Sequence, residues 1–228
     1  MIVDPPILPS IGITIWLNAA RAGTVTATDA ANACETLTDS IEMRTESTDS
    51  NWPNLVAQAK SCTNPLTVVL PVPGDPCGVP VVTTRTLDVE FGVVAIGDNF
   101  LLGKDNEGFI KLISQAHAVG QPDLNMLRSH LQHCVQIASE RLHAEGLAGD
   151  RDQIDMELAQ FEIEHLPPTM PSRTLKELHS VAKLSVVASH AIENSNALHS
   201  PSIDTLRIQL LTDVRRAAQK TMCGLVSR

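Results

Sequence analysis

The sequence predicts an α+β protein: a small, mostly antiparallel sheet with N-terminal helices, followed by a C-terminal part of four helices. Three observations carry this. Apolar residues recur at helical spacing near the N-terminus and through the second half. Short β-branched and apolar runs cluster between residues 66 and 114. The connections between those runs are too short for the helical crossovers that parallel pairing needs. Residues 1–115 are expected to form the α+β part, and residues 120–228 a helical part packed on it.

The elements follow in order. Residues 1–10 read as an irregular arm. Ile11, Ile13, Ile15 and Leu17 alternate as in a strand, yet the run continues into Asn18-Ala-Ala-Arg-Ala22 as a helix would. A short helix ending at Gly23 is the expectation, because glycine suits a helix C-terminus; a strand over residues 11–22 stays open. Thr28 or Asp29 can cap the next helix, which puts Ala30, Ala33, Cys34, Leu37 and Ile41 on one face. After a polar loop over residues 45–51, Trp52, Leu55, Val56 and Ala59 repeat at helical spacing. Leu66–Val72, Leu87–Ile96, Asn99–Gly103 and Gly108–Ser114 read as strands.

In the second half, Pro122-Asp123 opens a long helix to about Glu145. Leu124, Leu127, Leu131, Cys134, Val135, Ala138 and Leu142 lie on its inner face. Asp152–Glu164 is a shorter acidic helix. Leu166-Pro-Pro-Thr-Met-Pro171 is a stiff connector. Arg173–Glu193 is apolar on most sides at Val181, Leu184, Val186, Val187 and Ala188, the pattern of a central buried helix. Ser200-Pro201 starts the last helix, a capping hydroxyl before proline at the first helical position.

Composition excludes several functions. The net charge is −9 over 228 residues, and aromatic residues are only 3%. Phosphate neutralisation by Lys and Arg dominates nucleic-acid affinity, so no nucleic-acid partner is expected. An anionic membrane surface is disfavoured for the same reason. No run of about eighteen apolar residues spans a membrane, and the N-terminus lacks the basic region of a secretory signal. Five cysteines, without a Cys-x-x-Cys, fit a reducing compartment better than a disulfide framework. A soluble, cytoplasmic protein is the expectation. The acid is uneven: residues 1–115 hold 13 acids and 6 bases, residues 116–228 hold 13 and 11.

Several landmarks occur in a set order: Trp16-Leu17, Ala22-Gly23-Thr-Val25, Asp29-Ala-Ala31, Leu70-Pro-Val-Pro-Gly-Asp-Pro76, and Leu166-Pro-Pro168 through Pro171-Ser-Arg173. This order resembles a family of uncharacterised proteins from high-GC Gram-positive bacteria, whose hallmark is a strand running into a Leu-Pro-Val-Pro-Gly-Asp-Pro loop. The likeness spans most of the chain, but the loop is its one sharp motif. Cys77-Gly78-Val79 departs from the leucine and glycines that usually follow. The resemblance implies a shared fold and a bacterial cytoplasmic setting, with no activity and no catalytic residues attached.

Two sets of residues are candidates for chemistry. Pro73, Gly74, Asp75, Pro76, Cys77 and Gly78 form a turn-rich loop in which prolines fix φ and glycines free it. Asp75 would be its acid and Cys77 its thiol, although no His or Lys adjoins Cys77 in sequence to lower its pKa. On the long helix, His130, His133 and Glu140 project to one side, a spacing that a metal with a further ligand can use. Solvated histidines are the plainer account, and Cys134 belongs to the apolar face.

Three other patterns fail. Gly97 to Asp105 has five residues between its glycines and an acid after the lysine, so a hairpin fits better than a phosphate loop. Asp150–Glu157 lacks the glycine and distal glutamate of a calcium loop. No Gly-x-Gly-x-x-Gly and no Gly-x-Ser-x-Gly occurs.

The expected function is therefore a non-catalytic protein-binding or interaction module. The alternatives are an enzyme of unfamiliar type using the Asp75/Cys77 loop, and a metal-binding helical protein using His130 and His133. The cofactor is unknown, and a homo-oligomer stays open.

Overall fold

The computed structural model describes residues 7–38, 43–45, 51–71, 77, 79–80, 87–88, 91–97, 100–114, 120, 123–145, 163, 165–193 and 201–228. In chain order they form α1 (Pro9–Arg21), α2 (Ala27–Leu37), β1 (Met43–Thr45), α3 (Trp52–Ser61), β2 (Thr67–Val69), β3 (Val93–Ile96), β4 (Phe100–Lys104) and β5 (Ile110–Ser114). Three long helices follow: α4 (Leu124–Ala144), α5 (Ser172–Glu193) and α6 (Pro201–Val226). The architecture is α+β, as the sequence predicts. The acidic helix expected at Asp152–Glu164 and the acidic run before it lie outside the described residues.

Residues 11–21 are helical, and Ala22 is the C-cap. Leu8 precedes Pro9, which fits the first helical position because its missing N–H would have no partner there. Every residue from Ser10 to Leu17 is buried. That all-round burial explains the strand-like alternation of the isoleucines: a helix surrounded by partners needs no polar face. The partners are α2 and α3 on one side, and β2, β3 and α6 on the other. The stop is Gly23, at φ 72°, where the amides of Gly23 and Thr24 bond back to the carbonyls of Ala20 and Ala19. This pairing satisfies two of the carbonyls a helix end leaves bare.

The cap of α2 differs from the expectation. Thr26 is the N-cap: its hydroxyl oxygen accepts from the Asp29 amide at 3.1 Å and its hydroxyl donates to the Asp29 carboxylate at 2.6 Å. Asp29, the third helical residue, thus pairs with the N-cap hydroxyl through both its amide and its carboxylate, and its charge suits the first turn of a helix. Helix α3 starts on Asn51, whose side chain accepts from the Asn54 amide, and buries Trp52, Leu55, Val56 and Ala59 as predicted.

The sheet has the order β1-β5-β4-β3-β2. Three of its four pairings are antiparallel, and β1 joins β5 in parallel. The expected strand at Leu66–Val72 shortens to Thr67–Val69. The one at Leu87–Ile96 reduces to Val93–Ile96 and a single bridge between Leu87 and Asp105. Both faces are covered. Val68, Val94, Leu102 and Ile110 point into the main core with α1, while Val69, Val93, Ala95 and Leu101 point the other way, against Val79 and Leu87. Period-two alternation gives each strand two faces, and both are apolar because both are buried.

Helix α6 joins the two halves. Ser227, just past its end, accepts the Val68 amide of edge strand β2 at 3.1 Å, which satisfies a donor that would otherwise sit on an open sheet edge. Asn18 of α1 completes the junction: its amide nitrogen donates to Leu66 O and Val226 O, and its oxygen accepts the Leu66 amide. One side chain therefore ties α1, the chain before β2 and the α6 terminus together.

Helix α6 also contacts both α4 and α5 along their length. Arg128 of α4 pairs with Glu177 of α5 near the start of both helices. Ala138, Ala188 and Val214 meet farther along, and Thr221 approaches the Leu127 carbonyl. Helices α4 and α5 therefore run the same way and α6 runs back against them. Gly224 allows the crossing, since a Cβ there would stand 2.7 Å from the Leu127 side chain. The inner face of α4 matches the prediction, with Leu124, Leu131 and Ala138 buried. Helix α5 does not: Leu178, Val181, Ala182, Ser185 and Ala188 are buried, but Leu184 is exposed. The central buried helix is α1, and α5 is a surface helix with one buried stripe.

Candidate functional site

Of the predicted loop residues, Cys77 is described, while Pro73, Gly74, Asp75, Pro76 and Gly78 lie outside the described residues. Cys77 takes a left-handed backbone, φ 52°, with its thiol 3.5 Å from the Leu70 carbonyl. It packs against the cluster of Val69, Val79, Leu87, Val93, Ala95 and Leu101. The end of the loop thus seals the second face of the sheet. That is a covering role, and it explains an apolar Cys77-x-Val79 where glycines would leave the sheet bare.

His130, His133 and Glu140 share the outward side of α4, as their spacing predicts, and all three are exposed. His130 Nε2 lies 3.7 Å from Cys134 Sγ on its own helix, and Glu140 accepts from Gln136 at 2.8 Å. Among the described residues no group of three His, Cys, Asp or Glu side chains is placed to hold a metal. The loop thiol and the helix histidines also face different surroundings: one lies in the apolar layer over the sheet, the others at the solvent side of α4.

The cysteines behave as core residues. None is in a disulfide. Burial pushes the Cys34 thiol up to about 12, and burial together with the neighbouring Cys77 also raises Cys223. Cys134 is raised by partial burial and then by Asp213 of α6. Raised thiols hold their protons at neutral pH and are poor nucleophiles.

The sequence reading passed over Asp105. It is 3% exposed and lies in the β4–β5 turn. Its carboxylate accepts the amides of Glu107 and Phe109 at 2.9 and 2.8 Å and pairs with Lys111 at 2.7 Å. Burial alone would raise this carboxyl, but the Lys111 bond and the two amides outweigh it, so Asp105 stays below the usual carboxylate range. The signal was Asp105-Asn-Glu-Gly108 between two apolar runs, a turn in which aspartate bonds the amides after it. Within the stretch Gly97 to Asp105, Phe100–Lys104 is strand β4, paired antiparallel with β3, while Asp98 and Asn99 lie outside the described residues.

An open cleft of about 550 Å³ lies where α1 meets α2, lined by Trp16, Thr24, Thr26, Asp29, Asn32 and Pro168. Its size suits a small ligand. Several of its polar groups are already engaged: Trp16 Nε1 donates to the His165 carbonyl at 2.6 Å, Thr24 meets Thr169 at 3.2 Å, and Asp29 holds Thr26. The cleft is thus an open groove at the junction of α1, α2 and the connector before α5, with several of its polar groups taken up by structural hydrogen bonds.

Exposed apolar surface is distributed unevenly. Among the described residues the large apolar side chains left exposed are Met126, Ile137, Leu175, Leu184 and Ile208. Each lies on α4, α5 or α6. Sequence periodicity alone missed this, because it marks the buried stripe of a helix and not what an outward apolar residue faces.

Residues 10–126 match the family described as Rv1486c-like protein, N-terminal domain, and the chain belongs to that family. This agrees with the uncharacterised family its landmarks resemble; the match does not bear on the Leu-Pro-Val-Pro-Gly-Asp-Pro hallmark. No curated protein and no solved structure matches the chain. No helix among the described residues is long and apolar enough to cross a membrane.

Proposed function

We propose that this member of the Rv1486c-like family is a non-catalytic protein-binding module, and that its helical half is the surface it binds with. The observation that carries the reading is the placement of Met126, Ile137, Leu175, Leu184 and Ile208 on the outer sides of α4, α5 and α6. Exposed apolar side chains anchor association where they gather into one patch. Their hydrophobic gain is realised only when another surface covers them, at about 25 cal/mol per Å² of apolar area.

The state of the thiols supports the same reading. Cys34, Cys134 and Cys223 are all raised, which argues against a nucleophile at those positions. Cys77 and Val79, at the end of the loop, pack on the sheet.

Native mass spectrometry of the protein gently purified from its own cells tests this. A protein partner or second copy at fixed stoichiometry is expected, and it is expected to be lost in Leu184→Glu/Ile208→Glu or Met126→Ser/Ile137→Ser. A bare chain, or a complex indifferent to both variants, would overturn the reading.

A further inference from the structure

We propose that the groove between α1, α2 and the connector before α5 binds a neutral hydroxylated ligand of the sugar class. The groove shares no residue with the exposed apolar side chains of α4 to α6, so the inference goes beyond the protein-binding reading and does not depend on it. A volume of about 550 Å³ lies in the range of small-ligand sites. The walls are held in place. The bond from Trp16 Nε1 to the His165 carbonyl, 2.6 Å, fixes the indole. His165 itself takes a left-handed backbone, φ 59°, a strained state for a residue with a side chain, and strain of this kind gathers at ligand sites. The Thr24 hydroxyl is fixed between the Ala19 carbonyl and the Thr169 hydroxyl. Two side chains keep bonding capacity. Asp29 gives one carboxylate oxygen to the Thr26 hydroxyl and leaves the other free, and the Asn32 side-chain amide makes no hydrogen bond among the described residues. Both are exposed and stand at i and i+3 on α2, so they lie side by side on one face. Trp16, Val25 and Pro168 set apolar surface beside them, Trp16 by an edge, since it is 9% exposed.

These groups select the class of ligand by elimination. Asp29 is the charged side chain that lines the groove, and Arg21, at the end of α1, is turned to the Thr63 carbonyl. A phosphate or carboxylate would meet Asp29 with no lining cation to offset it. An organic cation would find one carboxylate, and the charge of that carboxylate is partly offset by the positive end of α2, because Asp29 lies in the first turn of that helix. A wholly apolar ligand would cover Asp29 and Asn32 without pairing them, which costs their hydration. A pair of neighbouring hydroxyls answers every group. One hydroxyl donates to the free Asp29 oxygen, a charge-assisted bond. The other exchanges bonds with the Asn32 amide, since a hydroxyl and a primary amide each donate and accept. The carbon framework of the sugar then rests on Trp16 and Pro168. Few contacts in an open groove make for weak binding, with a Kd on the order of 1 mM.

Proton–nitrogen NMR of the full chain tests the inference through the indole N–H signals of Trp16 and Trp52, the two tryptophans of the chain. Methyl glucoside, methyl mannoside and methyl galactoside are titrated one at a time, with inorganic phosphate and agmatine as charged controls. At least one glycoside is expected to shift the Trp16 signal saturably, while the signal of Trp52, buried in α3, stays in place. Asn32→Ala, at an exposed position, should weaken that binding at least tenfold with an unchanged unfolding midpoint. A Trp16 signal that none of the three glycosides moves overturns the inference. A shift that Asn32→Ala leaves intact also overturns it, as does tighter binding of phosphate or agmatine than of any glycoside. A complex held by the α4 to α6 surface should survive Asn32→Ala, so the failure of either reading is told apart from the failure of the other.

Discussion

Helix α1 is mostly apolar, with Arg21 its one charged residue, whereas α4 to α6 mix apolar with polar and charged residues, and the two kinds of helix end in opposite situations. Helix α1 has 13 residues, and Ser10 to Leu17 are all buried between α2, α3, the sheet and α6. Helices α4, α5 and α6 are 21, 22 and 26 residues long, and each keeps apolar side chains in solvent. The first kind of helix is held by its surroundings and contributes stability. The second kind is held along one stripe and offers the rest. The division teaches that the sheet half holds the enclosed helix, while the helical half carries the exposed apolar side chains on which the proposed binding rests.

The largest effects should come from the scaffold. Ile13→Ala or Leu17→Ala empties a fully buried site and should cost about 2–5 kcal/mol, read from urea denaturation. A cost below about 1 kcal/mol would show that α1 is not the enclosed element described. Asn18→Ala should cost about 1–3 kcal/mol, because it leaves the Leu66 amide and two carbonyls without their partner. Its unfolding should stay a single transition if the junction joins both halves into one cooperative unit.

Acid tests a smaller term. Asp105 is held below its ordinary value, so its contribution is present above the unfolded pKa of about 3.9 and is lost as pH falls through the lower folded value. Glu177, lowered first by its bond to Arg128, acts in the same direction. Asp105→Asn should therefore lower the denaturation midpoint at pH 7, with the gap to the parent chain closing as pH drops below about 4. A gap that persists at low pH would mean the amides, and not the charge, carry the effect. Smallest of all, Met126→Ser should move stability by no more than about 0.5 kcal/mol, since Met126 is 65% exposed. A larger loss would mean the outer helix faces belong to the scaffold.

Much of this division was legible in the sequence. The α4 stripe, the α3 stripe, the Pro201 start of α6 and the antiparallel strands follow from periodicity and capping, which are local. Helix α1 was ambiguous for a physical reason: a helix buried on all sides has no polar face to mark its period, so Ile11, Ile13 and Ile15 read equally well as a strand. Gly23 was the deciding residue. Helix α5 was misjudged in the opposite sense, because Leu184 and its apolar neighbours resemble a core pattern and only the arrangement of α4 and α6 reveals the open side. Strand β1 was not readable, since its parallel pairing depends on β5, about 65 residues away in sequence. The candidate site divided in the same way. The shared side of His130, His133 and Glu140 was set by helix geometry, whereas whether a further ligand converges on them is a property of three dimensions, and none does so among the described residues.

The most direct test of the central claim is native mass spectrometry of the parent chain beside Leu184→Glu/Ile208→Glu and Met126→Ser/Ile137→Ser, each checked for an unchanged unfolding midpoint. The account predicts a parent complex of fixed stoichiometry that at least one of these equally stable variants loses. A bare parent chain, or a complex that survives both variants, would contradict it.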